Sequence, residues 1–102
     1  MMGASMPKYK GEFERHIGPF TDALRYKMMA AQRNHGDQWK DKTPDELAHW
    51  CGKELAELND ALAGGNVTEA MMEAVDVAVL AMMVWCRLLD QLAKSQEAKD
   101  DD

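Results

Sequence analysis

Apolar residues recur with the period of a helix in three stretches of this chain, and alternating strand-like runs bounded by hairpin dipeptides are missing. In the first stretch, from about Pro19 to Asn34, Phe20, Leu24, Met28 and Ala31 form one stripe, and Pro19 suits a first helical position. Phe13 and Ile17 fall just before it, in what reads as a short turn, and His35-Gly36-Asp37 closes it. The second stretch opens on a capping box, with Thr43 as N-cap, Pro44 next and Glu46 three residues on. Leu47, Cys51, Leu55, Leu58 and Leu62 make its stripe, and Gly64-Gly65 stops it. Gly52 lies mid-helix at a cost of about 1 kcal/mol relative to Ala, which predicts a close backbone contact there.

The third stretch begins near Asn66 or Thr68 and meets no Gly or Pro afterwards. Running to Ala93 it would be about 40 Å long, against about 30 Å for the second helix. Its middle, Val77 to Cys86, is apolar on every side, so it must be covered on every side. Two shorter helices cannot do that, which predicts a second protomer: a two-fold dimer, or a dimer of dimers. The expected fold is an all-α antiparallel helical bundle over 12–93, completed by oligomerisation. Residues 1–11, rich in Gly, Lys and Met, read as a flexible arm, and 94–102, ending Lys-Asp-Asp-Asp, as a disordered acidic tail.

Composition narrows the function. At 102 residues the chain is one domain with a modest core. A net charge of −6 without a basic stripe argues against binding nucleic acid polymers, although a small anion could bind where cations screened the acids. The apolar run of Val77 to Cys86 is about half of a membrane span, so no membrane partner is expected. Cys51 and Cys86 fall in apolar helical stretches and read as buried reduced thiols, which with the lack of a signal-peptide pattern predicts a cytoplasmic protein. Trp50, Trp85 and Met71, Met72, Met82 and Met83 read as core. His16 and His49 read as surface residues, and His35 as a helix-end residue favoured by the dipole.

Two acidic pairs carry the candidate chemistry. Glu54 and Glu57 share a face of the second helix, and Glu73 and Asp76 a face of the third. Glu57 lies seven residues before Gly64 and Glu73 seven after Asn66, so an antiparallel hairpin should set Glu57 against Glu73 and Glu54 against Asp76. Acidic pairs usually form a solvated face, which suffices for Glu54 and Glu57 alone. It fits Glu73 and Asp76 badly, because they are the only charged residues from Ala70 to Cys86. Two carboxylates about 4 Å apart repel by about 4 kcal/mol at an effective dielectric of 20. A bound dication removes the difficulty, and an all-oxygen donor set favours Mg²⁺ or Mn²⁺.

The pattern Glu-x-x-Glu, a short loop, then Glu-x-x-Asp on the next helix resembles the MazG-like all-α NTP pyrophosphohydrolases, in particular the small members common in phages. The resemblance covers roughly Leu24 to Leu89. It rests on Lys-Glu-Leu-Ala-Glu-Leu (53–58), Glu-Ala-Val-Asp-Val-Ala (73–78) with the Met-Met that follows, and Asn34, Gly36, Asp37 and Trp39 upstream. It implies hydrolysis of a nucleoside triphosphate to monophosphate and pyrophosphate by a metal-activated water, with Glu54, Glu57, Glu73 and Asp76 as Mg²⁺ ligands. In that reading Glu57 also orients the water. Lys27, Lys40, Lys53 and Arg87 are candidates for phosphate, and Asn34 and Trp39 for the base. A phage-encoded member would work in the host cytoplasm. Two positions depart from the family: Lys53 replaces the first Glu of a doublet, and Val79 replaces an Asn that serves the substrate site.

Two rivals follow from the same residues. Glu46-Leu-Ala-His49 is a Glu-x-x-His motif, but a di-iron bundle needs two such motifs and two further Glu, and one is present. The second rival is a catalytically degenerate helical dimer that binds nucleotide or a protein partner, to which Val79 lends weight.

Overall fold

The computed structural model describes residues 7–100, which form α1 (Pro7–His35), a short 3-10 turn (Gln38–Asp41), α2 (Pro44–Ala63) and α3 (Val67–Asp100). No strand occurs among the described residues, as the sequence predicts. Side chains are described from residue 11 to residue 97.

The helix ends follow the local signals. Thr43 Oγ1 accepts from Glu46 N at 3.1 Å while Glu46 Oε1 accepts from Thr43 N at 2.9 Å, so the capping box is complete. At the other end of α2, Asn66 N donates to Ala61 O and Gly65 N to Leu62 O, both at 3.1 Å. This is the paired closure that needs a left-handed residue, and Gly65 supplies it at φ 72°. Asn66 then caps α3, its Oδ1 accepting from Glu69 N at 3.1 Å.

Two boundaries differ from expectation. α1 begins at Pro7, so Pro19 lies inside the helix and not at its start. An interior proline costs about 3 kcal/mol. The apolar spacing of Phe13, Ile17, Phe20 and Leu24 nevertheless continues the helical stripe across it. α3 runs to Asp100, seven residues beyond Ala93. Of the arm expected at 1–11 and the tail expected at 94–102, residues 7–11 and 94–100 are helical, and 1–6 and 101–102 lie outside the described residues.

α2 and α3 form an antiparallel hairpin, and the later part of α1, through Leu24 and Met28, packs against α3. Leu47, Val75, Val79 and Met83 are buried together, with Leu24, Met28 and Trp39 packed on them. The core is thin. Leu55, Leu62, Trp50, Trp85, Met71 and Met72, all expected inside, are exposed, as is every residue from 11 to 20. The chain exposes 8042 Å², whereas a compact 11.5 kDa monomer exposes about 5,800 Å². Gly52 makes no close backbone contact; a Cβ there would meet open space. No helix among the described residues is long and apolar enough to cross a membrane.

Candidate metal and phosphate site

The helical period puts glutamates where core residues would normally sit. On α2, Leu47, Cys51, Glu54, Leu58 and Ala61 follow at spacings of four, three, four and three. Leu47 and Ala61 are buried and the others half-buried, so Glu54 occupies a position in the seam facing α3. On α3, Glu73 falls likewise between buried Ala70 and half-buried Val77. Cys51 Sγ donates to Val77 O across that seam at 3.6 Å.

Glu54, Glu57 and Glu73 converge, each offering a carboxylate oxygen within 4.8 Å of the other two. Glu54 Oε2 and Glu73 Oε2 are buried and have no hydrogen-bond partner. Burial and the neighbouring acids push the Glu54 carboxyl up to about 7. Desolvation raises Glu73 as well, with the charges of Glu57 and Asp76 adding to it. Two ionised carboxylates cannot hydrogen-bond each other, so Glu54 bonds to Glu57 or Glu73 only while one member of the pair carries a proton. Once ionised, the cluster is left with orphaned acceptors and mutual repulsion.

Asp76 takes a different partner from the one the hairpin register predicts. Lys27 Nζ on α1 reaches Asp76 Oδ1 at 3.0 Å, both side chains being about two-thirds buried. Asp76 is therefore neutralised beside the cluster, although its charge still bears on Glu54 and Glu73.

A cleft of about 500 Å³ opens next to the acids, lined by Lys27, Asn34, Trp50, Lys53, Glu54 and Asp76, with Val79 in its floor. Trp39 lines an adjoining hollow of about 370 Å³ that shares Trp50 and His35 with the cleft. Val79, at 7% exposure, packs in the core beneath the cleft. Trp50 and His35 are the lining residues that sequence reasoning set aside. The available signal for Trp50 was its place one turn before Glu54 on the same face.

Other candidates fall elsewhere. Arg87 is outside the cleft: its Nε donates to Lys42 O at 3.2 Å, its Nη1 pairs with Asp90 at 3.1 Å, and it lines a separate hollow near the start of α2. Lys40 pairs with Asp37 at 3.7 Å and lies over the Trp39 ring. Glu46 is committed to the capping box and His49 is exposed, so the di-iron alternative gains no ligand set among the described residues.

The donor set is all carboxylate, with two buried oxygens lacking donors and ammonium groups along the adjoining cleft. Such a site suits a hard dication carrying a polyanion. No protein-family model, curated protein or solved structure matches this chain.

Proposed function

We propose that this chain is a Mg²⁺-dependent nucleoside triphosphate pyrophosphohydrolase, cleaving its substrate to monophosphate and pyrophosphate and working as a cytoplasmic homo-oligomer. The observation that carries the reading is the convergence of Glu54, Glu57 and Glu73 with two orphaned buried oxygens beside an open cleft. Those residues fit a hard dication: the donors are hard, the charges need compensation, and no protein cation pairs with Glu54 or Glu73 among the described residues.

Glu54 and Glu73 would hold the ion, with Glu57 as a third ligand; Asp76, paired with Lys27, stands outside that group. When bound, the ion would screen the triphosphate and lower the pKa of an attacking water. The remaining work falls to this chain's own groups. Glu57, the exposed member of the cluster, can orient that water and accept its proton. Lys27 and Lys53 line the cleft where phosphate oxygens would lie, and Trp39 and Trp50 offer flat faces to a base. Asn34 is the group along the same wall able to both donate to and accept from a base edge.

Oligomerisation is supported by the excess of exposed surface over that of a compact monomer and by the unshielded Phe13, Ile17 and Phe20. A second reading, nucleotide binding without hydrolysis, draws support from the Lys27–Asp76 pair, which holds back one of the four acids. Pyrophosphate release, measured over a panel of ribo- and deoxyribonucleoside triphosphates with and without Mg²⁺, separates the two. Mg²⁺-dependent release supports the hydrolase; nucleotide binding with no release supports the degenerate protein.

A further inference from the structure

α3 carries more apolar surface than its own chain covers. Val75, Val79 and Met83 are buried against the other helices. On another strip Ala74 and Ala78, half-buried, then Ala81, Trp85, Leu88 and Leu92, exposed, follow one another at alternating spacings of four and three. That alternation is the spacing of a coiled-coil seam, with exposed Leu89 on its flank. Trp85, Leu88 and Leu92 are 62%, 48% and 57% exposed.

The order of sizes along the seam is the informative feature: three alanines, then three large side chains. We infer that α3 pairs with α3 of a second copy in antiparallel register, with Trp85 packed over Ala81 of the partner copy, Leu88 over Ala78 and Leu92 over Ala74. Each layer then holds one large and one small residue, and the two-fold axis repeats every contact. A parallel pair would set Trp85 on Trp85 at one end and leave the alanine layers underfilled at the other, which a close-packed interface does not tolerate.

The surface accounting agrees with a second copy as the occupant. The excess of about 2,000 Å² over a compact monomer exceeds the roughly 800 Å² per partner that a standard interface removes. Charge agrees too. The chain carries −6, yet no acid or base falls on the seam between Ala74 and Leu92, so like charges stay off the contact. The inference rests on the oligomeric half of the reading above and is independent of the hydrolytic half.

The test combines sedimentation with cross-linking. Parent protein at micromolar concentration should sediment as a dimer or an even multiple, and Ala81→Glu, a change at an exposed position of the single chain, should halve that mass while keeping its helical circular dichroism. In a Cys51→Ser, Cys86→Ser background, the double variant Ala78→Cys, Leu88→Cys should cross-link to dimer with a short bis-maleimide. Each single variant should not, since equivalent positions then lie about 15 Å apart along the pair. Single variants that cross-link as well as the double would overturn the antiparallel register. An oligomeric parent whose double variant stays uncross-linked, or whose Ala81→Glu form keeps its mass, would overturn the seam alone. A folded monomeric parent would overturn both the seam and the oligomer.

Discussion

Lys27 on α1 and Asp76 on α3 form an ion pair at 3.0 Å, joining the helix that lines one wall of the cleft to the helix that carries Glu73 and Asp76. The pair relieves one carboxylate and leaves Glu54, Glu57 and Glu73 to repel one another. The site is thereby divided into a compensated and an uncompensated part, and the two should respond differently to neutralisation.

Glu73→Gln removes charge from the uncompensated part without changing shape, so no cavity opens. The metal-free variant is expected to be at least as stable as the parent, and hydrolysis is expected to fall by about 100-fold or more. Thermal melts in chelator, together with initial rates in Mg²⁺, check both halves. A variant that melts below the parent in chelator would make Glu73 a structural hydrogen-bonding residue.

Asp76→Asn should behave in the opposite way when metal is absent, because it strands Lys27. A loss of about 1–2 kcal/mol is expected, between the values for exposed and buried pairs. Lys27→Met should lose a similar amount in chelator and regain more than the parent does when Mg²⁺ is added, since Asp76 is then free to join the cluster. Chemical denaturation of both variants with chelator and with millimolar Mg²⁺ measures this.

The acids also set a pH dependence. Glu54 holds its proton up to about 7 in the fold, against 4.5 for an ordinary glutamate. Its contribution to stability is therefore complete below about 4.5 and is lost as pH rises through about 7. Glu73 shifts in the same direction. Glu46, lowered by its hydrogen bond from the Thr43 backbone, acts oppositely, losing its contribution only as pH falls below the ordinary range. Melting temperature in chelator should accordingly fall from about pH 5 to about pH 8. Saturating Mg²⁺, which competes with the proton for Glu54, should flatten or reverse that slope. Identical profiles with and without Mg²⁺ would remove the cluster as the metal site.

Gly52→Ala adds a methyl group into open space on a helix interior, so a gain of about 0.5–1 kcal/mol is expected. Equilibrium unfolding measures it. A loss instead would mean that a second copy packs closely on α2 at this point.

The legible parts of this fold were the local ones. Thr43-Pro44-Asp45-Glu46, Gly64-Gly65 and Asn66 each specify a helix end through hydrogen bonds within a few residues; the first two formed as read, and of the starts left open at Asn66 or Thr68 the cap is Asn66. Counting outward from that loop was enough to bring Glu57 towards Glu73. The partner of Asp76 was not legible, because Lys27 comes from a helix about fifty residues away whose placement is decided by packing. The leucines of α2 misled the reading of its stripe. The 3.6-residue period turns Glu54 and Ala61 into the seam and leaves Leu55 and Leu62 outside. Pro19 misled in the same way, as a local start signal overridden by an apolar stripe that runs through it.

Phosphorus NMR of a nucleoside triphosphate incubated with the protein tests the central claim most directly, because the products identify both the reaction and the bond. With Mg²⁺ the parent should give monophosphate and pyrophosphate in equal amounts, and chelator or Glu54→Gln should abolish both signals. Diphosphate with orthophosphate, an unchanged triphosphate spectrum, or full turnover by Glu54→Gln would contradict it.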